Sequence, residues 1–373
     1  MEDILEKPTE DKFSLLMEQQ NKLLDQQNAL LKQLIRLENA KPLEEFLLDG
    51  EKALVKDLFR DEIRDGFLVT THRKRIWNIQ LNLVAEVDRI CKKHGINYFA
   101  CRGTLLGAVR HKGFVPWNDD LDIAMLRPDY EKFKAVVKQE IKEYYFVDAW
   151  HDYKLEEEEK TLPDKSFLQL VKKKQRQSHP ERWPFWIMMK IKDNRTTFIQ
   201  YKDRPHVHQG IWIDIFPFDP VPPFSDEQQQ KNFEIESLLF KTAILSTETK
   251  KALQENKRLA LDKESLEKYI ELPHHEKAMA LEAFLLKNFV QSDFIGHIRG
   301  HILGTDTLAF KAEYFRETIN LPFEGITLPV PKSYEECLTT QYGDWRTPII
   351  FKQHAKTSSV GVSYRDYFNK IVK

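Results

Sequence analysis

The chain has 373 residues, a formal net charge of −1 and three scattered cysteines, a length that gives one large domain or two modest ones. The balanced charge argues against a protein that binds nucleic acid through a basic excess, and the cysteine spacing fits neither a disulfide framework nor a zinc site. The acidic N-terminus has no apolar signal core, and no apolar run reaches the ~18 residues of a membrane span. We therefore expect a cytoplasmic protein, with contact at a membrane surface left open.

The first fifty residues carry a leucine at every seventh position, at Leu16, Leu23, Leu30 and Leu37. A sustained seven-residue repeat is typical of a coiled coil. We therefore predict an oligomerisation helix over residues 1–50, a separate folded domain over 51–373, and a homo-oligomer. Glutamines stand where a second apolar seam would lie, so a lone amphipathic helix packed on its own domain is the alternative.

Hydrophobic spacing predicts helices and strands in alternation up to about residue 150. The predicted order is a helix from Lys74 to Gly95, a strand at 96–102, a short helix at 105–109, a strand at 120–126, a helix at 127–141 and a strand at 144–150.

The second half of the chain is predicted to carry more strands and then a helix-rich segment. After a polar acidic stretch at 151–164, the pattern predicts strands at 186–193, 196–201 and 210–219, helices over about 225–300, a hairpin at 323–331 and a final helix at 333–345. Helices alternate with strands early and cluster later, which indicates an α/β or α+β fold with a mixed sheet flanked by helices.

Three aspartates in predicted strands are the candidate metal ligands. Asp120 and Asp122 would share one strand face, where two carboxylates repel each other unless a cation lies between them. Asp214 is the one carboxylate of an otherwise apolar run, WIDIF, and is costly there unless it is paired or metal-bound. If the two strands are neighbours, the three side chains form a site for Mg²⁺ or Mn²⁺, which take carboxylates together with substrate phosphates. The simpler alternative is a polar turn at the start of a strand.

A candidate phosphate-binding turn lies upstream, at Gly103 and Thr104. Glycine lets the backbone approach a phosphate closely, and the helix that follows offers free N–H groups. Further candidates on the donor side are basic or aromatic residues, for which a solvated surface or ordinary packing is the alternative: Arg102, Arg110, Lys112, Trp117, Lys190 and Lys192.

Four ordered blocks of the sequence resemble the LicD family, bacterial phosphocholine transferases with a nucleotidyltransferase-type fold that are related to the fukutin-type ribitol-phosphate transferases. The blocks are CRGTLLGAVRHKGFVPWNDDLDIAMLRPDYEKF, NRTTFIQY, GIWIDIFPFDPVP and FEGITLPVPKSYEECLTTQYGDW. The resemblance runs from Arg73 to Trp345 and is least distinctive between Ser225 and Ile319. The family usually has three consecutive acids where this chain has Asn118, Asp119 and Asp120, so the departure falls on Asn118 and leaves the metal pair intact.

The resemblance implies a phosphotransferase that takes phosphocholine from CDP-choline, or a polyol phosphate from a related CDP-alcohol. The acceptor would be a hydroxyl of a cell-surface glycan such as lipopolysaccharide, capsule or teichoic acid, and CMP would be released. Mg²⁺ held by Asp120 and Asp122 would bridge the pyrophosphate, Gly103 and Thr104 would hold the donor phosphates, and Asp214 would be either a third metal ligand or the general base.

Two other functions remain open at this point. A nucleotidyltransferase that moves a nucleoside monophosphate from a triphosphate would release pyrophosphate instead of CMP. A catalytically silent scaffold organised by the coiled coil would show no divalent-dependent nucleotide binding. The sequence does not choose among choline, ribitol, glycerol and ethanolamine as the transferred alcohol.

Overall fold

The computed structural model describes residues 47–149, 188–198, 208–221, 292–297 and 309–348. Three predicted segments lie wholly or mostly outside these residues: the coiled coil, the acidic stretch at 151–164 and the helix-rich segment after residue 225.

The described residues form eleven strands, four α-helices and one short 3₁₀ helix. In chain order they are β1 (Glu62–Arg64), β2 (Phe67–Val69), α1 (Thr71–His94), β3 (Phe99–Ala100), α2 (Arg102–Arg110), β4 (Asp122–Leu126), α3 (Arg127–Glu140), β5 (Tyr145–Ala149), β6 (Met189–Asp193), β7 (Trp212–Pro220), β8 (Phe294–Gly296), β9 (Phe310–Lys311), the 3₁₀ helix (Ala312–Phe315), β10 (Thr318–Phe323), β11 (Ile326–Pro331) and α4 (Tyr334–Tyr342).

A seven-stranded mixed sheet organises the domain. Its main path runs β3-β4-β7-β6-β5, and β8 joins the far end of β7 and pairs with β9. The two central strands, β4 and β7, are parallel, and the other pairs are antiparallel. Both central strands are buried almost throughout, as expected for a parallel pair that is covered on both faces. The predicted mixed sheet flanked by helices is confirmed.

Helices α1 and α3 pack on this sheet. The Thr70 side chain caps α1 by accepting a hydrogen bond from the backbone N–H of Arg73, so the helix begins three residues before the predicted start at Lys74. The helix ends at Gly95 as predicted, and this glycine takes the left-handed conformation (φ 61°) that favours a residue without a Cβ. The large apolar side chains of α1 are buried, and those of Trp77 and Leu83 are completely so.

Two predicted strands are shorter in the structure. The strand predicted at 96–102 is reduced to β3, because Arg102 already begins α2. The strand predicted at 120–126 begins at Asp122, so Asp120 lies in the preceding loop and does not share a strand face with Asp122. In the described part of the stretch predicted at 196–201, Thr197 alone makes a bridge.

The predicted C-terminal hairpin and helix are confirmed. β10 and β11 pair in register around a turn at Glu324 and Gly325. Helix α4 ends at Gly343, whose φ is 65°. The helix packs against α2 and β11, which brings its C-terminal end toward the start of β4. Within the described ranges, no helix has the length and apolar character needed to cross a bilayer.

Candidate active site

The structure brings Asp122 and Asp214 together on adjacent strands. They are register partners in the parallel β4–β7 pair, so both side chains point to the same face of the sheet. Both are buried, with 7% and 8% of their surface exposed. The sequence analysis left the pairing of these two strands open as a condition, and the structure meets that condition.

Asp120 completes a cluster of three nearby carboxylates. Its side chain is exposed to solvent, but many protein atoms surround its carboxyl group. Burial and the charges of Asp119 and Asp214 raise its pKa to about 6. Burial and the charges of Asp120 and Asp214 raise the pKa of Asp122 well above its usual range. The cluster therefore carries more negative charge than its surroundings neutralise.

Lys190 is the cation that faces this cluster. It is the register partner of Asp214 on β6, and its Nζ lies 2.5 Å from Asp214 Oδ1. The Trp212 indole donates a hydrogen bond to Asp214 Oδ2 (3.2 Å), and the Lys190 ammonium lies 4.7 Å from the centre of the Trp212 ring. Both oxygens of Asp214 are thus engaged.

Lys192 lies on the same face of the sheet but serves a different carboxylate. It pairs with Asp148 and donates a hydrogen bond to the His208 carbonyl (2.6 Å). Burial lowers its pKa. Both lysines are buried, so the alternative of a solvated strand face is wrong for this pair.

The residues present fit a two-carboxylate divalent cation site better than a preformed three-ligand site. Among the residues that the structure describes, no three His, Cys, Asp or Glu side chains form a group that holds a metal ion by themselves. Asp214 is occupied by Lys190, whereas the raised pKa values of Asp120 and Asp122 reflect uncompensated negative charge. Mg²⁺ commonly binds one or two carboxylates and completes its octahedron with water and substrate phosphates, which matches this pair.

Gly103 and Thr104 lie in the first turn of α2, and not in a turn before a helix as the sequence predicted, and they are hydrogen-bonded or packed to the segment that leads into β4. The Thr104 hydroxyl accepts a hydrogen bond from the backbone N–H of Asp122 (2.8 Å). A Cβ on residue 103 would lie 2.3 Å from Asn118 Nδ2, so only glycine lets the Asn118 side chain pack there. The turn therefore lies directly beside Asp122, and its role toward donor phosphates stays a prediction.

The remaining predicted donor-side residues divide into two groups. The Arg102 guanidinium lies 4.5 Å from the centre of the Phe216 ring, and its charge acts to lower the pKa of Asp122. Arg110 instead donates to the Trp345 carbonyl (2.7 Å), and Trp117 packs edge-on against Phe67. The structure thus places Arg102 near the carboxylate cluster. The contacts named for Arg110 and Trp117 support the fold instead.

Helix α1 holds the loop that carries Asp120, which the sequence analysis did not foresee. The Arg73 guanidinium and the Trp77 indole both donate to the backbone carbonyl of Asn118, at 3.0 and 2.9 Å. Asn118, which departs from the usual acid, therefore supports the loop through its carbonyl and packs on Gly103 through its side chain.

Tyr342 is a second residue that the sequence analysis missed. It is the last residue of α4 and is 40% exposed. Burial of its hydroxyl and the charge of Asp122 raise its pKa, so this aromatic side chain lies near the carboxylate cluster. An aromatic residue before a helix-ending glycine has no distinctive pattern, so nothing local in the sequence singles it out.

Comparison with known proteins places the candidate site within a span that matches a known family. Residues 95–222 match the family model described as LicD/FKTN/FKRP, nucleotidyltransferase domain, a span that includes all three aspartates. The chain is 28% identical over 266 residues to the lipopolysaccharide cholinephosphotransferase LicD of Haemophilus influenzae, which covers 71% of this chain and 88% of that protein. Two uncharacterized proteins match over 57 residues, 15% of this chain: one from Rickettsia typhi (40% identical, 18% of its length) and one from Rickettsia prowazekii (39%, 21%).

Proposed function

We propose, from the match of residues 95–222 to the LicD family model and from the similarity to the Haemophilus relative, that this protein transfers phosphocholine from CDP-choline to a hydroxyl of a cell-surface glycan, with release of CMP. The observation that supports this proposal most directly is that Asp122 and Asp214 are register partners, with Asp120 close to both. The name of the Haemophilus relative favours lipopolysaccharide as the acceptor and choline as the alcohol.

In this proposal, Asp120 and Asp122 hold Mg²⁺ or Mn²⁺ together with the donor's pyrophosphate. The bound cation supplies charge neutralisation for the pyrophosphate oxygens and for the CMP that leaves. Arg102, beside Asp122, lies where it can add positive charge on the donor side. Gly103 and Thr104, in the first turn of α2, are the candidates to contact the donor phosphates, since Thr104 is hydrogen-bonded to the Asp122 backbone.

The transfer itself needs one bond made and one broken. The acceptor hydroxyl oxygen forms a bond to the phosphorus that carries choline, the bond from that phosphorus to the bridging oxygen breaks, and CMP leaves with the bridging oxygen. The hydroxyl proton must go to a base, and Asp214 is the candidate unless it binds the cation. The Lys190 ammonium, 2.5 Å from Asp214 Oδ1, gives this carboxylate a positive partner in either role.

A panel of donors tests this function. The full-length protein is incubated with Mg²⁺ and CDP-choline, CDP-ribitol, CDP-glycerol or CDP-ethanolamine, with and without lipopolysaccharide, and CMP is measured. We expect CMP release to be fastest with CDP-choline and to increase with the acceptor. Pyrophosphate release from a nucleoside triphosphate, with no CMP from any donor, would instead identify the nucleotidyltransferase reaction.

A further inference from the structure

Gln80 of helix α1 connects the two segments that carry the candidate carboxylates. Its Nε2 donates hydrogen bonds to the Asp119 carbonyl (2.8 Å) and to the Trp212 carbonyl (3.2 Å). Asp119 precedes Asp120 in the chain, and Trp212 lies two residues before Asp214 on β7. One side-chain amide therefore spans the loop and the strand from which the site is built.

Gln80 belongs to a polar row on one face of α1. Arg73, Trp77 and Gln80 follow the spacing i, i+4 and i+7, which places them on one helical face. All three donate to backbone carbonyls of residues 118–119, but among these three Gln80 is the one that also reaches β7. The row holds the loop in place, and Gln80 also links the loop to strand β7.

The energetics of Gln80 argue for a role beyond filling space. It is 2% exposed, and its Oε1 is buried and accepts no hydrogen bond within the described part of the chain. A buried acceptor without a partner costs about 1–3 kcal/mol, which an apolar side chain of similar size would avoid. The sequence has an amide here, and its two N–H groups match two backbone carbonyls, one in the Asp120 loop and one on the Asp214 strand.

We propose that Gln80 is a positioning residue that fixes the distance between the Asp120 loop and the Asp214 strand, and thereby sets the affinity of the site for a divalent cation. The inference rests on the proposed function in taking these carboxylates as the cation-binding site. Residues that orient metal ligands from behind typically contribute about 10–100-fold to metal affinity.

The test measures Mn²⁺ binding directly, by electron paramagnetic resonance titration without nucleotide, in the full-length protein. The variant is Gln80→Met, which keeps the length of the side chain and removes both donors. The matched control is Asn82→Leu. Asn82 lies on the same helix, and its buried amide donates to the Lys52 and Asn78 carbonyls, away from the cluster. Thermal unfolding of both variants reports the purely structural cost.

We expect Gln80→Met to weaken Mn²⁺ binding by about tenfold, and Asn82→Leu to leave it unchanged although both lower the melting temperature. Unchanged Mn²⁺ affinity in Gln80→Met, equal weakening in the control, or no Mn²⁺ binding by the unaltered protein would overturn the inference. If Gln80→Met does not fold, Gln80→Asn, whose amide is one methylene too short to reach both carbonyls, gives the same readout. Mn²⁺ binding without CMP release from any CDP-alcohol would refute the proposed function and leave the role of Gln80 intact.

Discussion

At the scale of single residues, the site is defined by an imbalance of charge. Asp120, Asp122 and Asp214 lie close together, and Lys190 forms its ion pair with Asp214. Both partners of this ion pair are buried, so removal of either one would leave the other as an unpaired buried charge. The remaining pair, Asp120 and Asp122, stays short of positive charge, and this is the feature that a divalent cation would relieve.

The raised pKa of Asp120 predicts a specific dependence of stability on pH. Its carboxyl has a pKa of about 6 in the folded protein and an ordinary value of 3.8, so the folded state retains a proton that the unfolded state releases between these values. The contribution of Asp120 to stability therefore falls as the pH rises through this window, and it stays lost above it. In EDTA, the melting temperature of the unaltered protein should fall across the window more steeply than that of Asp120→Asn. Identical profiles would show that Asp120 does not have this pKa.

Removal of Lys190 should destabilise the protein in a way that a divalent cation repairs. Lys190→Met leaves Asp214 buried without its cation, a change that costs about 3–5 kcal/mol for a buried pair. Lys192→Met is the matched control, because it breaks an equally buried pair with Asp148, outside the aspartate cluster. We expect Mg²⁺ to raise the melting temperature of Lys190→Met more than that of Lys192→Met. An equal response of the two variants to Mg²⁺ would contradict the placement of Asp214 beside the cation site.

At the scale of elements, the site depends on a contact between the start of α2 and the start of β4. Thr104 accepts a hydrogen bond from the backbone of Asp122, and Gly103 leaves room for Asn118. This contact explains why a glycine and a hydroxyl residue precede the carboxylate strand, whether or not they also touch a phosphate.

Thr104→Val tests this contact. Valine has nearly the same shape but leaves the buried N–H of Asp122 without its acceptor, which costs about 1–3 kcal/mol. We expect urea unfolding to show a loss of this size, and Thr104→Ser, which keeps the hydroxyl, to lose less. A valine variant as stable as the serine variant would mean that the hydrogen bond contributes nothing to the fold.

Elements with strong local patterns were predictable, and their pairing was not. The apolar run at β7, the periodic helix α3 and the glycine that ends α4 all appear where the sequence predicts them. Local spacing placed Asp120 inside a strand, whereas the backbone enters β4 only at Asp122 because long-range pairing with β7 starts there. The contacts of Lys190 and Gln80 also join segments far apart in the chain, so no local pattern announces them.

At the scale of the whole molecule, the order of the strands in the sheet brings the candidate site residues together. A central parallel pair, β4 and β7, holds Asp122 and Asp214 in register, and β6 adds Lys190 in the same row. Helix α1 holds the Asp120 loop in place, because Arg73, Trp77 and Gln80 donate hydrogen bonds to its backbone carbonyls. The site is thus assembled from one helix, one loop and three strands of a single sheet.

The predicted coiled coil lies outside the described residues, and its test is the mass of the particle in solution. Deletion of residues 1–45 should lower the oligomeric state measured by light scattering, because the leucine repeat falls within the deleted segment. The shortened protein should keep its rate of CMP release per chain, since the site residues all follow residue 70. An unchanged mass would mean that this segment does not hold the oligomer together.

The most direct test of the account is CMP release from CDP-choline with Mg²⁺ by the Asp122→Asn variant, since Asp122 is central to the cluster. The change keeps the size of the side chain and removes the charge, so we expect at least about a 100-fold loss of rate, as for other lost transition-state contacts. Circular dichroism should show that the variant is folded and, in EDTA, no less stable than the unaltered protein, because the substitution relieves repulsion. A folded Asp122→Asn variant that releases CMP at the original rate would contradict the carboxylate-based mechanism.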